Sequence, residues 1–118
     1  MKRNLTRSIR IKKSTEIKKV FDQSTGISCK GLRLFSMENS YPYSRYCISL
    51  RRKYGNSVQR NRVKRQFREL FRLNWTDILP GRDIIIVPYP GDFTFIERKN
   101  QLLSLIERAE LFVSNKNL

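Results

Sequence analysis

The stretch GNSVQRNRVKRQFRELFRL, Gly55 to Leu73, carries two patterns at once. Wound at about 100° per residue, Val63, Phe67, Leu70 and Phe71 fall at i, i+4, i+7 and i+8, an apolar stripe suited to packing on a sheet. Arg60, Asn61, Lys64, Arg65, Arg68 and Arg72 fall on the far side, with Arg62 at its edge. Gly55 and Asn56 suit a tight turn and an N-cap, so a helix is predicted from Ser57 to Leu73. It is held by one face and offers cations on the other.

That offered face asks for an anion. Solvated helix faces usually mix Glu with Lys at i,i+4, and here only Glu69 interrupts. Arg60 with Lys64, Lys64 with Arg68 and Arg68 with Arg72 are like-charge pairs, each costing a few tenths of a kcal/mol in an isolated helix. The whole chain repeats the imbalance: 25 Lys and Arg against 10 Asp and Glu, a net charge of +15 and a pI near 10.5. Arginine in preference to lysine suits phosphate, which the guanidinium grips with two prongs. The helix N-terminus at Asn56 and Ser57 adds backbone N–H groups with a partial positive charge. A membrane-seeking helix would turn its apolar face to lipid, and that face is needed for the core.

Around this helix the remaining elements space themselves out. Ser14 can cap a helix over 14–23 with Ile17, Val20 and Phe21 at i, i+3 and i+4. Leu32 to Met37 alternates, with Leu32 and Leu34 on one face and Arg33 and Phe35 on the other; after turn residues at Asn39, Ser40 and Pro42, Arg45 to Arg51 reads as a second strand. The two are expected to pair as an antiparallel hairpin. Asp83 to Val87 reads as a strand whose last four residues, Ile84 to Val87, are an unbroken apolar run, the mark of a central strand. Thr94 and Glu97 form a capping-box pattern before a helix predicted to run over 94–113. The order α-β-β-α-β-α specifies an α/β (α+β) two-layer sandwich. One domain over 1–118 is expected: a basic arm 1–13, a folded core 14–113 and a tail 114–118.

The chemistry available is binding. There is no His, the ten carboxylates are scattered, and no Ser has an adjacent base, so no catalytic residue is assigned. Cys29 and Cys47 stand alone, without partners for zinc, and are expected as buried thiols. No apolar run approaches the roughly 20 residues of a membrane span, and MKRNLTRSIRIKK lacks the apolar segment of a secretory signal, so a cytoplasmic protein without membrane or small-molecule partners is expected. RNA is favoured over DNA because the basic helix lies between strands and because Arg33 and Phe35 share a strand face, a cation beside an aromatic that suits a splayed single strand. A structural RNA-binding module of the ribosomal kind and a DNA-binding regulator stay open at this point.

KYGNSVQRNRVKRQFRELFR, Lys53 to Arg72, resembles the signature segment of the bacterial ribonuclease P protein subunit: a Lys-x-Gly-Asn turn followed by the R-N-R-x-x-K/R helix. In element order the likeness spans roughly residues 14–112. The resemblance implies a subunit that assists a catalytic RNA in removing the 5′ leader of precursor tRNA, the RNA performing the hydrolysis with magnesium in the holoenzyme and the protein binding no cofactor by itself. It implies that Arg60, Asn61, Arg62, Lys64, Arg65 and Arg68 approach the catalytic RNA; Arg52, Lys53, Asn56 and Arg72 complete the expected RNA-binding set. It implies a cleft between the first helix and the sheet that receives the single-stranded leader at Ile17, Phe21, Arg33 and Phe35. Ile17 stands where the family commonly has an aromatic, and Arg51, Arg52 and Lys53 where it often has Ser-Lys-Lys. A small mixed four-stranded sheet with a left-handed β-α-β crossover is the implied architecture.

Overall fold

The computed structural model describes residues 9–113. The expectations for the first eight residues of the basic arm and for the tail 114–118 lie outside the described residues. Helix α1 is Ser14–Gln23, strands β1, β2 and β3 are Ile27–Cys29, Leu32–Glu38 and Arg45–Ile48, helix α2 is Ser57–Asn74, strand β4 is Arg82–Pro88 and helix α3 is Phe95–Arg108. A 3-10 turn, Trp75–Asp77, follows α2.

The sheet order is β1-β2-β4-β3, with β4 antiparallel to β2 and parallel to β3. The expected hairpin of β2 with β3 is therefore overturned. Pairing partners are set by burial: Ile84, Ile85 and Ile86 are fully buried, so β4 needs neighbours on both edges and cover on both faces. It takes the seam between β2 and β3, and β2 makes its hairpin with β1, across Lys30 and Gly31. Gly31, at φ 89, occupies a conformation that a side chain would strain. Strand β3 stops at Ile48, three residues before the expected end, because the chain turns away towards α2 with the Tyr54 N–H on the Arg51 carbonyl.

Alternation along the strands divides the core in two. Leu32, Leu34, Tyr46, Ile84 and Ile86 face α2 and α3 and meet Val63, Phe67, Leu70, Phe71, Leu102, Leu105 and Ile106. On the other side Ile85 packs with Ile11 and Val20, with Ile17, Phe21, Phe35, Met37 and Cys47 around them. Ile11 is 4% exposed, and its N–H bonds the Tyr46 carbonyl beside an Arg10–Tyr46 bridge, so residues expected as a free arm cover part of the open edge of β3.

Two helix ends differ from expectation for local reasons. Ser14 is inside α1; Lys13 is its N-cap, its carbonyl taking the Glu16 and Ile17 N–H groups, with no side-chain cap. Helix α3 ends at Arg108 and not at 113. Leu111 N–H bonds the Ile106 carbonyl and Glu110 N–H the Glu107 carbonyl, a Schellman stop with Glu110 left-handed at φ 58. The stop buries Leu111 and lays residues 111–113 beside 77–79.

Strand directions fix two ends of the sheet. Asp83, Arg45 and Met37 lie at one end with the loop 39–44; Val87, Arg33 and the N-terminus of α2 lie at the other.

Candidate nucleic-acid interface

Helix α2 presents what its sequence promised. Val63, Phe67, Leu70 and Phe71 are its buried residues, and Asn61, Arg62, Arg65 and Arg68 are exposed. Asn56 is the N-cap: its side chain accepts the Gln59 N–H, and the Gln59 side chain accepts the Asn56 N–H. Two N–H groups of this end are thus satisfied within the chain. Arg60 is half-buried and donates from Nη1 to the Arg51 and Arg52 carbonyls at 2.9 and 3.4 Å, tying the preceding loop to the helix. Arg52 and Lys53 are exposed on that loop. Arg72 is engaged on both Glu69 oxygens at 2.9 and 2.6 Å, which holds its own charge on and pulls the Glu69 carboxyl below its usual range. Among the described residues no carboxylate lies within ion-pair distance of Arg62, Lys64, Arg65 or Arg68.

The cations flank α2 on two sides. Lys64 and Arg68 line a groove of about 300 Å³ with Arg10, Lys12, Tyr46, Cys47 and Ile48, so the N-terminal strand segment adds two cations beyond the expected set. Nothing in the sequence placed Arg10 and Lys12 there except their charge. On the other flank Arg62 and Gln66 border a cavity of about 350 Å³ with Tyr54, Asp92 and Phe93.

Under that cavity lies Arg98, 1% exposed and, among the described residues, with no carboxylate in ion-pair distance. Its Nη1 donates to the Gly31 carbonyl and Gln101 Oε1, and its Nη2 to Tyr54 Oη and the Tyr89 carbonyl, at 2.9 to 3.0 Å. Its guanidinium also lies 4.5 Å from the Phe93 ring centroid. Burial pulls its pKa below the usual arginine value. Arg98 thereby ties the β1–β2 turn, the end of β4 and the loop before α2 into one knot, and the basic helix starts from a fixed point. A signal existed: Arg98 is four residues before Leu102 on the apolar stripe of α3.

The structure brings Ile17, Phe21, Arg33 and Phe35 together. Phe21 and Phe35 meet edge to face with centroids 4.8 Å apart, and Arg33 lies 5.0 Å from the Phe35 centroid. The face is only partly open, since α1 packs on it and all four residues are half-buried. Arg33 Nε is buried with no hydrogen-bond partner. Gly26 permits this packing: a Cβ there would stand 2.5 Å from Arg33 Nε and 2.8 Å from the Phe35 ring.

Among the described residues no three carboxylates, thiols or imidazoles converge to hold a metal ion. Both cysteines carry free thiols. No helix among the described residues is long and apolar enough to cross a membrane.

Comparison with known proteins meets this geometry. The Ribonuclease P family profile matches residues 5–110. The ribonuclease P protein component of Thermoanaerobacter pseudethanolicus is 36% identical over 112 residues, covering 92% of this chain and 95% of that one. That of Natranaerobius thermophilus is 30% identical over 113 residues, covering 94% and 98%. Among solved structures, the RNase P protein of Staphylococcus aureus superposes with a TM-score of 0.82 at 28% identity over 89% of this chain and 98% of its own. The RNase P protein of Thermotoga maritima gives 0.76 at 28% identity over 84% and 96%. The chain belongs to the ribonuclease P protein family, the accessory subunits of the ribonucleoprotein that matures tRNA 5′ ends.

Proposed function

We propose that α2 docks on the catalytic RNA of ribonuclease P while the α1 side of the sheet holds the single-stranded 5′ leader of precursor tRNA. The observation that carries this reading is the row Arg62, Lys64, Arg65 and Arg68, none of which is paired with a carboxylate among the described residues, beside an Arg72 whose carboxylate partner is already supplied. Arg52, Lys53, Arg60 and Asn61 continue the surface at the helix start, and Arg10 and Lys12 extend it along the groove. Asn56 fixes the helix entry through its cap. These cations offset the repulsion between two RNAs and release their counterions on docking.

On the leader side, Arg33 supplies charge, and Phe35 and Phe21 supply ring surface for unpaired bases. Ile17 adds apolar contact without stacking. The protein has no general acid or base at either place, so its contribution is positioning, with the hydrolysis performed by the RNA and its magnesium. The working compartment is the cytoplasm, as one domain over residues 1–118.

The test is cleavage of precursor tRNA at low magnesium by a bacterial ribonuclease P RNA, with and without the protein, beside a protein-only control. Stimulation with correct 5′ ends and an inert control is the expected outcome. Tight RNA binding without stimulation refutes the reading, and so does cleavage by the protein alone.

A further inference from the structure

The loop 39–44, NSYPYS, sits at the sheet end remote from the start of α2 and is firmly held. Asn39 Oδ1 accepts the Tyr41 N–H at 2.8 Å, and its Nδ2 donates to Asp83 Oδ1 at 2.8 Å and to the Tyr43 carbonyl at 3.3 Å. Ser44 Oγ donates to the Leu79 carbonyl and accepts the Arg82 N–H. On this frame Tyr41 and Tyr43 stack at 5.2 Å with 22° between their planes, each 39% exposed. The Arg45 guanidinium lies 4.6 Å from the Tyr41 centroid and is itself clamped by Asp83 and Glu16.

Neither ring belongs to the core. Two stacked aromatics held at the surface of a fixed loop are a binding surface waiting for a flat partner. Tyr41 shares a small cavity with Lys19, Val20 and Met37, which places it on the same side of the sheet as Arg33 and Phe35. Along β2, Arg33, Phe35 and Met37 succeed one another over roughly 13 Å, at about 3.3 Å per residue, and the loop continues that line. The nearby carboxylates are largely matched: Glu16 and Asp83 hold Arg45, and exposed Glu38 lies 3.8 Å from Arg82. With Lys19 exposed beside the rings and a chain charge of +15, a nucleobase fits better than a protein partner.

We infer that Tyr41 and Tyr43 form a second stacking station for unpaired nucleotides, taking leader bases farther from the cleavage site than those at Arg33 and Phe35. The inference rests on the leader reading above, since the basic helix starts at the opposite end of the sheet. Stacking tolerates any base, so the station lengthens the grip on the leader without fixing its sequence.

The experiment uses holoenzyme assembled from the full chain and the catalytic RNA, with precursor tRNAs whose leaders grow one nucleotide at a time. Dissociation constants are measured for wild type, Tyr41→Ala with Tyr43→Ala, the conservative pair Tyr41→Phe with Tyr43→Phe, and Phe35→Ala. The Ala pair should match wild type on short leaders and lose from several-fold to about a hundredfold once the leader passes a threshold length. The Phe pair should retain that gain. If the Ala pair matches wild type at every length while Phe35→Ala weakens binding, the station is refuted and the leader reading stands; if neither variant weakens binding, both fall. A loss that does not depend on leader length, or a change in the protein's sedimentation in place of a length-dependent loss, also overturns the inference.

Discussion

Arg98→Met should unfold the chain far more readily than a surface arginine substitution of the same size. Four hydrogen bonds from the buried guanidinium, to Gly31, Gln101, Tyr54 and Tyr89, are each worth about 1.5–3 kcal/mol when the donor is charged, or roughly 6–12 together. Taking the guanidinium out of water offsets several kcal/mol of that. Methionine fills much of the volume but leaves two carbonyls, a phenol and an amide facing an apolar chain, so a net loss of about 3–5 kcal/mol is expected. In a urea titration followed by circular dichroism, at a slope of about 1.5 kcal/mol/M, the midpoint should fall by roughly 2–3 M. Tyr54→Phe, which removes one acceptor of the four, should cost about 1 kcal/mol. If Arg98→Met costs less than about 1 kcal/mol, the knot is not what fixes the start of α2.

Three other outcomes follow from separate parts of the molecule. Arg65→Ala should lower the slope of log affinity against log salt by about 0.7–0.9 while leaving the melting temperature unchanged, and an unaltered slope would remove Arg65 from the docking face. Glu110→Gly relieves a left-handed residue that has a Cβ, so it should add about 1 kcal/mol and raise the melting temperature by a few degrees; a fall would refute the Schellman assignment. Burial pushes the Cys47 thiol up from an ordinary 9.0 to about 11, so the stabilisation from keeping it neutral is whole below pH 9 and disappears as pH rises through 11. Cys47→Ala should flatten that alkaline loss, by at most roughly 3 kcal/mol, and in the wild type Cys47 should alkylate more slowly at pH 8 than a thiol in the unfolded chain.

What was legible in the sequence was whatever repeats within a few residues. The stripe Val63, Phe67, Leu70 and Phe71 defined α2 and its outward face because helix periodicity is local, and Ile84 to Val87 announced a central strand by being apolar at every position. The partners of that strand were not legible. Turn residues at 39–44 suggested a hairpin, but the segment instead spans the end of β4, and the competing pairing was decided by residues some fifty positions apart. Three-residue β1 is too short to carry a pattern. Ile11 reads as part of the basic arm because its apolar rhythm is faint within a run of cations, although burial on one side of Ile85 is its real constraint. For the candidate site, residue type and helix face told which cations of α2 point outward, while their surroundings needed coordinates: Arg60 bracing a loop, Arg72 committed to Glu69, and Arg98 inside the protein.

The insertion of β4 between β2 and β3 also governs how the chain comes to life. During synthesis the β1–β2 hairpin, β3 and the basic helix all emerge before the strand that joins them. Until residues 82–88 have left the ribosome, β2 and β3 have no shared neighbour and the apolar stripe of α2 has no completed sheet to cover. Closure of the sheet waits on long-range pairings, which makes it a late and cooperative event. A nascent chain of this protein therefore displays its arginines to surrounding polyanions before it possesses a tertiary structure.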